Sequence, residues 1–206
     1  MITTFLAGFF TGFSLIVAIG AQNTFVLRQG ILGQHVFYVA LFCALSDTIL
    51  IGIGVAGISF FLNNFIDKIS NLLFGFSAIW LTGYGILRLR SAFKAEGIVK
   101  IETSSSKGLL PTISIAAILT FANPHVYLDT MILIGSISQQ FSGNLKISFA
   151  LGASLASFVF FFSLSYGAKL LTPIMNRPLS WQILDCLIAF IMFTIAFKLA
   201  SAGNWF

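Results

Sequence analysis

Phe121-Ala122-Asn123-Pro124-His125-Val126-Tyr127-Leu128-Asp129-Thr130 interrupts an apolar run, Thr112 to about Gln139, that otherwise reads as one membrane-spanning helix. Pro124 removes a backbone donor and clashes with the preceding turn, so the helix must break or kink near Asn123. Asp129 places a carboxyl where hydrocarbon is expected, at a cost of roughly 2.5–3.5 kcal/mol near the bilayer centre. Irregular backbone at that depth is tolerated only where it is buried in protein or lines a wet cavity. A broken helix, an amide, a histidine and an acid within ten residues describe a binding site. The plainer alternative is a structural proline kink with an acid near the interface.

Composition sets the surroundings. The chain is 58% hydrophobic and 8% charged, with a mean hydropathy of +1.00, whereas soluble domains carry about 25% charge. It reads as an all-α polytopic membrane protein without room for a sizeable soluble domain. No Lys or Arg precedes Arg28, so the first apolar run lacks the basic region of a cleaved signal peptide and reads as retained. The net charge of +5 is no nucleic-acid signal, because the basic residues cluster at helix ends and in one loop. Cys43 and Cys186 lie far apart with no Cys-x-x-Cys. There is no phosphate loop, nucleophile elbow or metalloprotease motif. Neither a metal nor a cofactor is expected, and the chain does not read as an enzyme.

Runs of about 20 apolar residues predict six spans, near 3–27, 35–62, 69–89, 112–139, 145–171 and 181–202. The connections are short except the polar stretch 91–110, which divides a first three-span unit, 1–90, from a second, 111–206. Arg28, Arg88, Arg90, Lys94, Lys100, Lys107, Lys169 and Arg177 follow the odd-numbered spans, against Lys68, Lys146 and Lys198 on the other face. The positive-inside rule then puts the odd loops in the cytoplasm and both termini outside.

Two units of three spans insert in opposite senses, the inverted repeat of many secondary transporters, whose interrupted helices mark the binding site. The counterpart of the Asn123-Pro124 break is the first span, where Gly20-Ala21-Gln22-Asn23 interrupts the apolar run. With Ala21 laid on Ala122, Gln22 falls on Asn123, Asn23 on Pro124 and Leu27 on Leu128. Gln22 and Asn23 offer donors and acceptors either to a ligand or to neighbouring helices; Asn23 is favoured for the ligand because a broken turn needs partners. Asp47 sits deep in the second span and must face the bundle interior, where it wants a cation or a proton. No basic residue lies at a similar apparent depth in the neighbouring spans. His125 and Asp129 are four apart, share a helix face, and form a proton-relay candidate, although His125 also reads as a satisfied cavity histidine. Asp185 is a weak candidate near the interface. The small residues Gly8 and Gly12, and Gly52 with Ala56, read as helix contacts.

These residues resemble the LysE family of amino-acid exporters, most closely its lysine/arginine branch. Ala21-Gln22-Asn23 through Arg28-Gln29-Gly30 is similar to that family's first signature, Ser46-Asp47 to its acidic position in the second helix, and Asn123 through Thr130 to its second signature. This chain has Ala21 where the family usually has proline, and Asp185 where it more often has an amide. The resemblance implies an exporter of cationic amino acids, arginine or lysine, in a bacterial inner membrane, with a homo-oligomer left open. Half-helix ends at Gly20–Asn23 and Asn123–Pro124 would hold an α-carboxylate. Asp47 and Asp129 would hold the positive groups, and proton entry would drive export. The rivals are an exporter of neutral amino acids or other small solutes, against which the two acids argue, and a membrane thiol–disulfide electron carrier, which would need Cys43 and Cys186 to meet.

Overall fold

The structure, a computed structural model, describes residues 1–17, 20–93, 108–171, 173–174 and 178–202. Most of the expected linker 91–110 lies outside them, with Lys94, Lys100 and Lys107, as does Arg177. The described residues are helical and turn, with no strand among them. The helices are α1 (Ile2–Ile16), α2 (Ala21–Leu32), α3 (Val36–Val55), α4 (Ile58–Phe93), α5 (Leu109–Phe121), α6 (Pro124–Tyr127), α7 (Ile134–Ser138), α8 (Asn144–Gly167) and α9 (Pro178–Ala202). A π-helix, Leu128–Leu133, joins α6 to α7, and a 3₁₀ turn, Ala168–Leu171, follows α8.

Among the described residues, three helices are long and apolar enough to cross a membrane, Val36–Val55, Asn144–Leu171 and Leu179–Ser201, and the bent pair α1–α2 makes a fourth if counted as one span. The expected first span is two helices whose axes differ by 84°. The expected fourth is α5, α6, the π-helix and α7 in series.

The second and third boundaries need correction. The second helix stops at Val55, not Leu62. Ala56 closes it, Gly57 takes the left-handed region at φ 83°, and one 36-residue helix runs from Ile58 to Phe93. The polar residues from Asn63 to Asn71 suggested a loop, but Asn, Asp, Lys and Ser cost a helix only tenths of a kcal/mol, up to about 0.7 each, against Ala. They do not stop it, whereas a glycine can take the left-handed backbone of a turn without strain.

Packing is organised around α8 and α3. α1 lies along α8 in the same direction: Ser148 Oγ donates to Met1 O at 2.9 Å, Gly8 sits on the Phe149 backbone, Gly12 on Ala153 and Phe13 on Phe160. Gly152 answers from the other side, against the backbone of Phe5. α3 makes the equivalent contact with the broken helix of the second half, where Gly54 lies on the Met131 backbone and Gly135 on the Gly54 backbone. α4 lies along α9, with Gly85 under Phe193. Phe25, Val39, Leu119, Phe161 and Met192 bring five helices into one core. Large apolar side chains such as Phe10, Ile49, Leu151 and Phe190 face outward, as a lipid-facing surface requires.

Without hydrophobic drive between helices in lipid, close backbone approach supplies the association energy. Replacing Gly152 by leucine forces the α1 backbone away. The expected result is loss of most monodisperse protein on detergent extraction, while Gly52→Ala, where nothing lies near an added methyl, extracts like wild type.

Candidate functional site

Both helix breaks are capped in the same way. At the first, Gly20 is extended (φ −119°, ψ 178°) and starts α2. Asn23 Nδ2 reaches back to donate to Ile16 O, the end of α1, at 2.8 Å, and Thr24 Oγ1 donates to Gly20 O at 2.7 Å. At the second, the Tyr127 hydroxyl donates to Phe121 O, the end of α5, at 2.7 Å, and Thr130 Oγ1 donates to Val126 O at 2.6 Å. In each case a side chain just past the break satisfies a carbonyl that the break has orphaned, as backbone groups at membrane depth must be.

Between the breaks lies a cavity of about 270 Å³, at the small end of ligand pockets. Gly20, Gln22, Asn23, Asp47, Asn123 and Asp129 all line it. The structure therefore brings together residues from α2, α3 and the second broken helix that stand up to 109 positions apart in the chain. Asn123 (7% exposed) and Gln22 (6%) are buried, and Gln22 Nε2 has no hydrogen-bond partner, so that donor is not spent joining helices. Asn23 is half-buried and has spent Nδ2 on the break. That bond is structural, the use the sequence left open for these amides beside the ligand.

Asp47 is 3% exposed and accepts a hydrogen bond from the buried Ser157 of α8 at 3.2 Å. Sequence reasoning missed Ser157, because a lone serine in an apolar span carries no signal of its own. Asp129, half-buried, lies in the first turn of the π-helix, whose i→i+5 ladder is visible as Ile134 N–H donating to Asp129 O. π-Bulges concentrate at functional sites. The π-turn starts between His125 and Asp129. The His125 side chain lies outside the described residues.

Lys198, exposed four residues before the end of α9, also contributes to the cavity lining. A correction concerns Arg28, Arg88 and Asp185, read as helix-end charges and a weak interfacial acid. Asp185 is 6% exposed, and its Oδ1 lies 3.7 Å from Arg28 Nε and 3.8 Å from Arg88 Nη1. Arg28 also stacks over Trp181 at 5.9 Å and Arg88 over Tyr84 at 4.8 Å. This cluster ties α2, α4 and α9 together about 20 Å along α9 from Lys198, at 1.5 Å per residue. Cys43 and Cys186 are free thiols in α3 and α9.

The LysE type translocator family matches residues 13–203. The chain belongs to the LysE family. Among curated relatives, it is 40% identical over 203 residues, 98% of both chains, to a protein of Aeromonas salmonicida named "Putative amino-acid transporter YggA". It is 38% identical, again over 98% of both chains, to the arginine exporter protein ArgO of Photorhabdus laumondii. A further YggA, from Aeromonas hydrophila, is 40% identical over 86% of this chain and 78% of its own. No solved structure matches. LysE proteins are translocators, and the apolar helices fit a multi-pass membrane protein.

Removing one partner of a buried ion pair costs about 3–5 kcal/mol because the other charge is left uncompensated. Asp185→Asn leaves two arginines facing each other. A lower melting temperature and a smaller folded fraction are expected, and adding Arg88→Gln to Asp185→Asn recovers most of the loss. Melting of the purified variants by intrinsic fluorescence checks this.

Proposed function

We propose that this chain exports cationic amino acids, arginine or lysine, across the bacterial inner membrane in exchange for entering protons. The observation that carries the reading is the shared cavity. Two carboxylates, Asp47 and Asp129, line it together with the start of α2 at Gly20–Gln22 and with Asn123 at the second break. An amino acid's α-carboxylate suits the positive end of α2 and the buried Nε2 donor of Gln22. Its α-ammonium and cationic side chain suit the two acids. A relative that shares 38% identity over nearly the full length is named as an arginine exporter.

Six spans arranged as two inverted units, 1–90 and 111–206, with a cytoplasmic linker at 91–110, fit the packing. The contact of α1 with α8 corresponds to that of α5 with α3, and the contact of α2 with α8 to that of the π-helix and α7 with α3, while α3·α8 and α4·α9 are each their own mate. The matched caps Asn23→Ile16 O and Tyr127→Phe121 O follow the same relation. Positive-inside sidedness puts the Arg28–Arg88–Asp185 end in the cytoplasm.

Export of a net-positive solute runs against the membrane potential, at about 2.3 kcal/mol per charge per 100 mV. Coupling is therefore required. A carboxylate that binds proton and substrate alternately supplies it, and Asp47 and Asp129 are the candidates, with His125 as a further titratable residue beside the second break.

Asp47→Asn and Asp129→Asn keep shape and remove charge. Each variant is expected to remain in the membrane and to lose arginine and lysine efflux from preloaded proteoliposomes. Losing one partner of a desolvated charge pair costs about 2–5 kcal/mol, or some thirtyfold to several thousandfold in affinity. Asp47 is expected to be the stricter of the two, because it lies farther from any helix end. Normal efflux by the double variant would overturn the reading.

A further inference from the structure

Ser157 of α8 spends its hydroxyl differently from its neighbours. Thr24, Thr48, Thr82, Thr112, Thr120 and Thr130 each donate to the carbonyl four residues back, a bond that a helical hydroxyl makes without leaving its own backbone. Ser157, fully buried, instead donates across the bundle to Asp47 Oδ2 at 3.2 Å, 110 positions away. α3 and α8 pack along one another. Ala44 and Ala153, a turn before the two partners, are small and fully buried, as close helix approach requires.

The nature of the acceptor gives this bond its consequence. A hydrogen bond donated to a carboxylate favours the ionised form, and it is stronger than one donated to a neutral group. Asp47, 3% exposed, has little water to do the same. Its other titratable surroundings are Cys43, one turn earlier on α3, His125 on α6, and two residues of the cavity lining, Asp129 of the π-helix and the exposed Lys198 of α9. Arg28 of α2 and Arg88 of α4 are engaged with Asp185. α5 and α7 carry no titratable residue, and α8 carries none from 147 to 165. What α8 offers the carboxylate is therefore a neutral donor, which biases the proton without adding a charge.

We propose that Ser157 is a positioning residue for the exchange at Asp47: by donating to the carboxylate, it favours the ionised acid and so lets a cationic ligand displace the proton. This rests on the export reading above and deepens it. Without the hydroxyl, Asp47 keeps its proton to higher pH, and the cation competes with a more tightly held proton. When Asp47 is protonated, the carbonyl four residues back from Ser157 becomes the competing acceptor, so the hydroxyl need not stay unpaired at either stage.

Ser157→Ala removes the hydroxyl at nearly constant volume, Ser157→Thr returns it, and Ser157→Cys keeps the size with a weak donor. Two quantities are followed across pH in each purified protein. One is the infrared band of a protonated carboxyl that Asp47→Asn abolishes; the other is arginine binding by calorimetry. A hydrogen bond to an ionised group is worth about tenfold in the proton equilibrium, or about one pH unit. In Ser157→Ala the band is expected to persist about one unit higher in pH. Arginine affinity should fall about tenfold on the acid side, and the loss should fade as pH rises. Ser157→Thr returns toward wild type; Ser157→Cys lies between, and replaces Ser157→Ala as the test if that variant does not fold. A purely structural serine would weaken arginine equally at every pH. That result, an unmoved band in the folded variant, or a folded Ser157→Thr that titrates like Ser157→Ala, overturns the assignment of Ser157. A band that shifts as expected in protein that binds neither arginine nor lysine at any pH overturns the export reading instead.

Discussion

A helix cannot be broken in hydrocarbon unless the carbonyls and amides freed by the break find partners inside the protein. This chain breaks two helices and meets that demand twice with the same device. Asn23 donates to the last carbonyl of α1, and Tyr127 donates to the last carbonyl of α5. The cavity lies between the two breaks, with Gly20 and Asn123 in its lining. Close glycine contacts hold both broken helices in place, Gly152 against α1 and Gly54 against the π-helix.

Charge is distributed with the same economy. The charged side chains fall into two separate groups. In one, Asp185 lies between two arginines that stack on Trp181 and Tyr84, an arrangement that binds three helices. In the other, Asp47 and Asp129 line a cavity between the two breaks. The first is a tie between helices.

Much of this was legible in the chain because membranes make exceptions visible. Pro124 and Asp129 stood out against an apolar run, Asp47 stood out by depth, and the matching interruption at Gly20–Asn23 followed from the parity of spans. Gly20, Gln22, Asn23, Asp47 and Asp129 converge on one cavity. What stayed hidden depended on direction rather than identity. Arg28 and Arg88 read as topology signals because Asp185, their partner, is about 100 or more residues away in sequence. Ser157 is one serine among many, and only the crossing of α3 and α8 makes it the donor to Asp47. The π-turn at Leu128 has no sequence signature. The helix Ile58–Phe93 was cut in two on paper by polar residues that a helix tolerates.

The most direct test is an experimental structure of the purified protein with arginine bound. The account predicts ligand density in the cavity between the two breaks, with the carboxylate against the start of α2 and Gln22, and the positive groups against Asp47 and Asp129. Arginine bound elsewhere, with this cavity dry and Asp47 closed onto Ser157 alone, would contradict it.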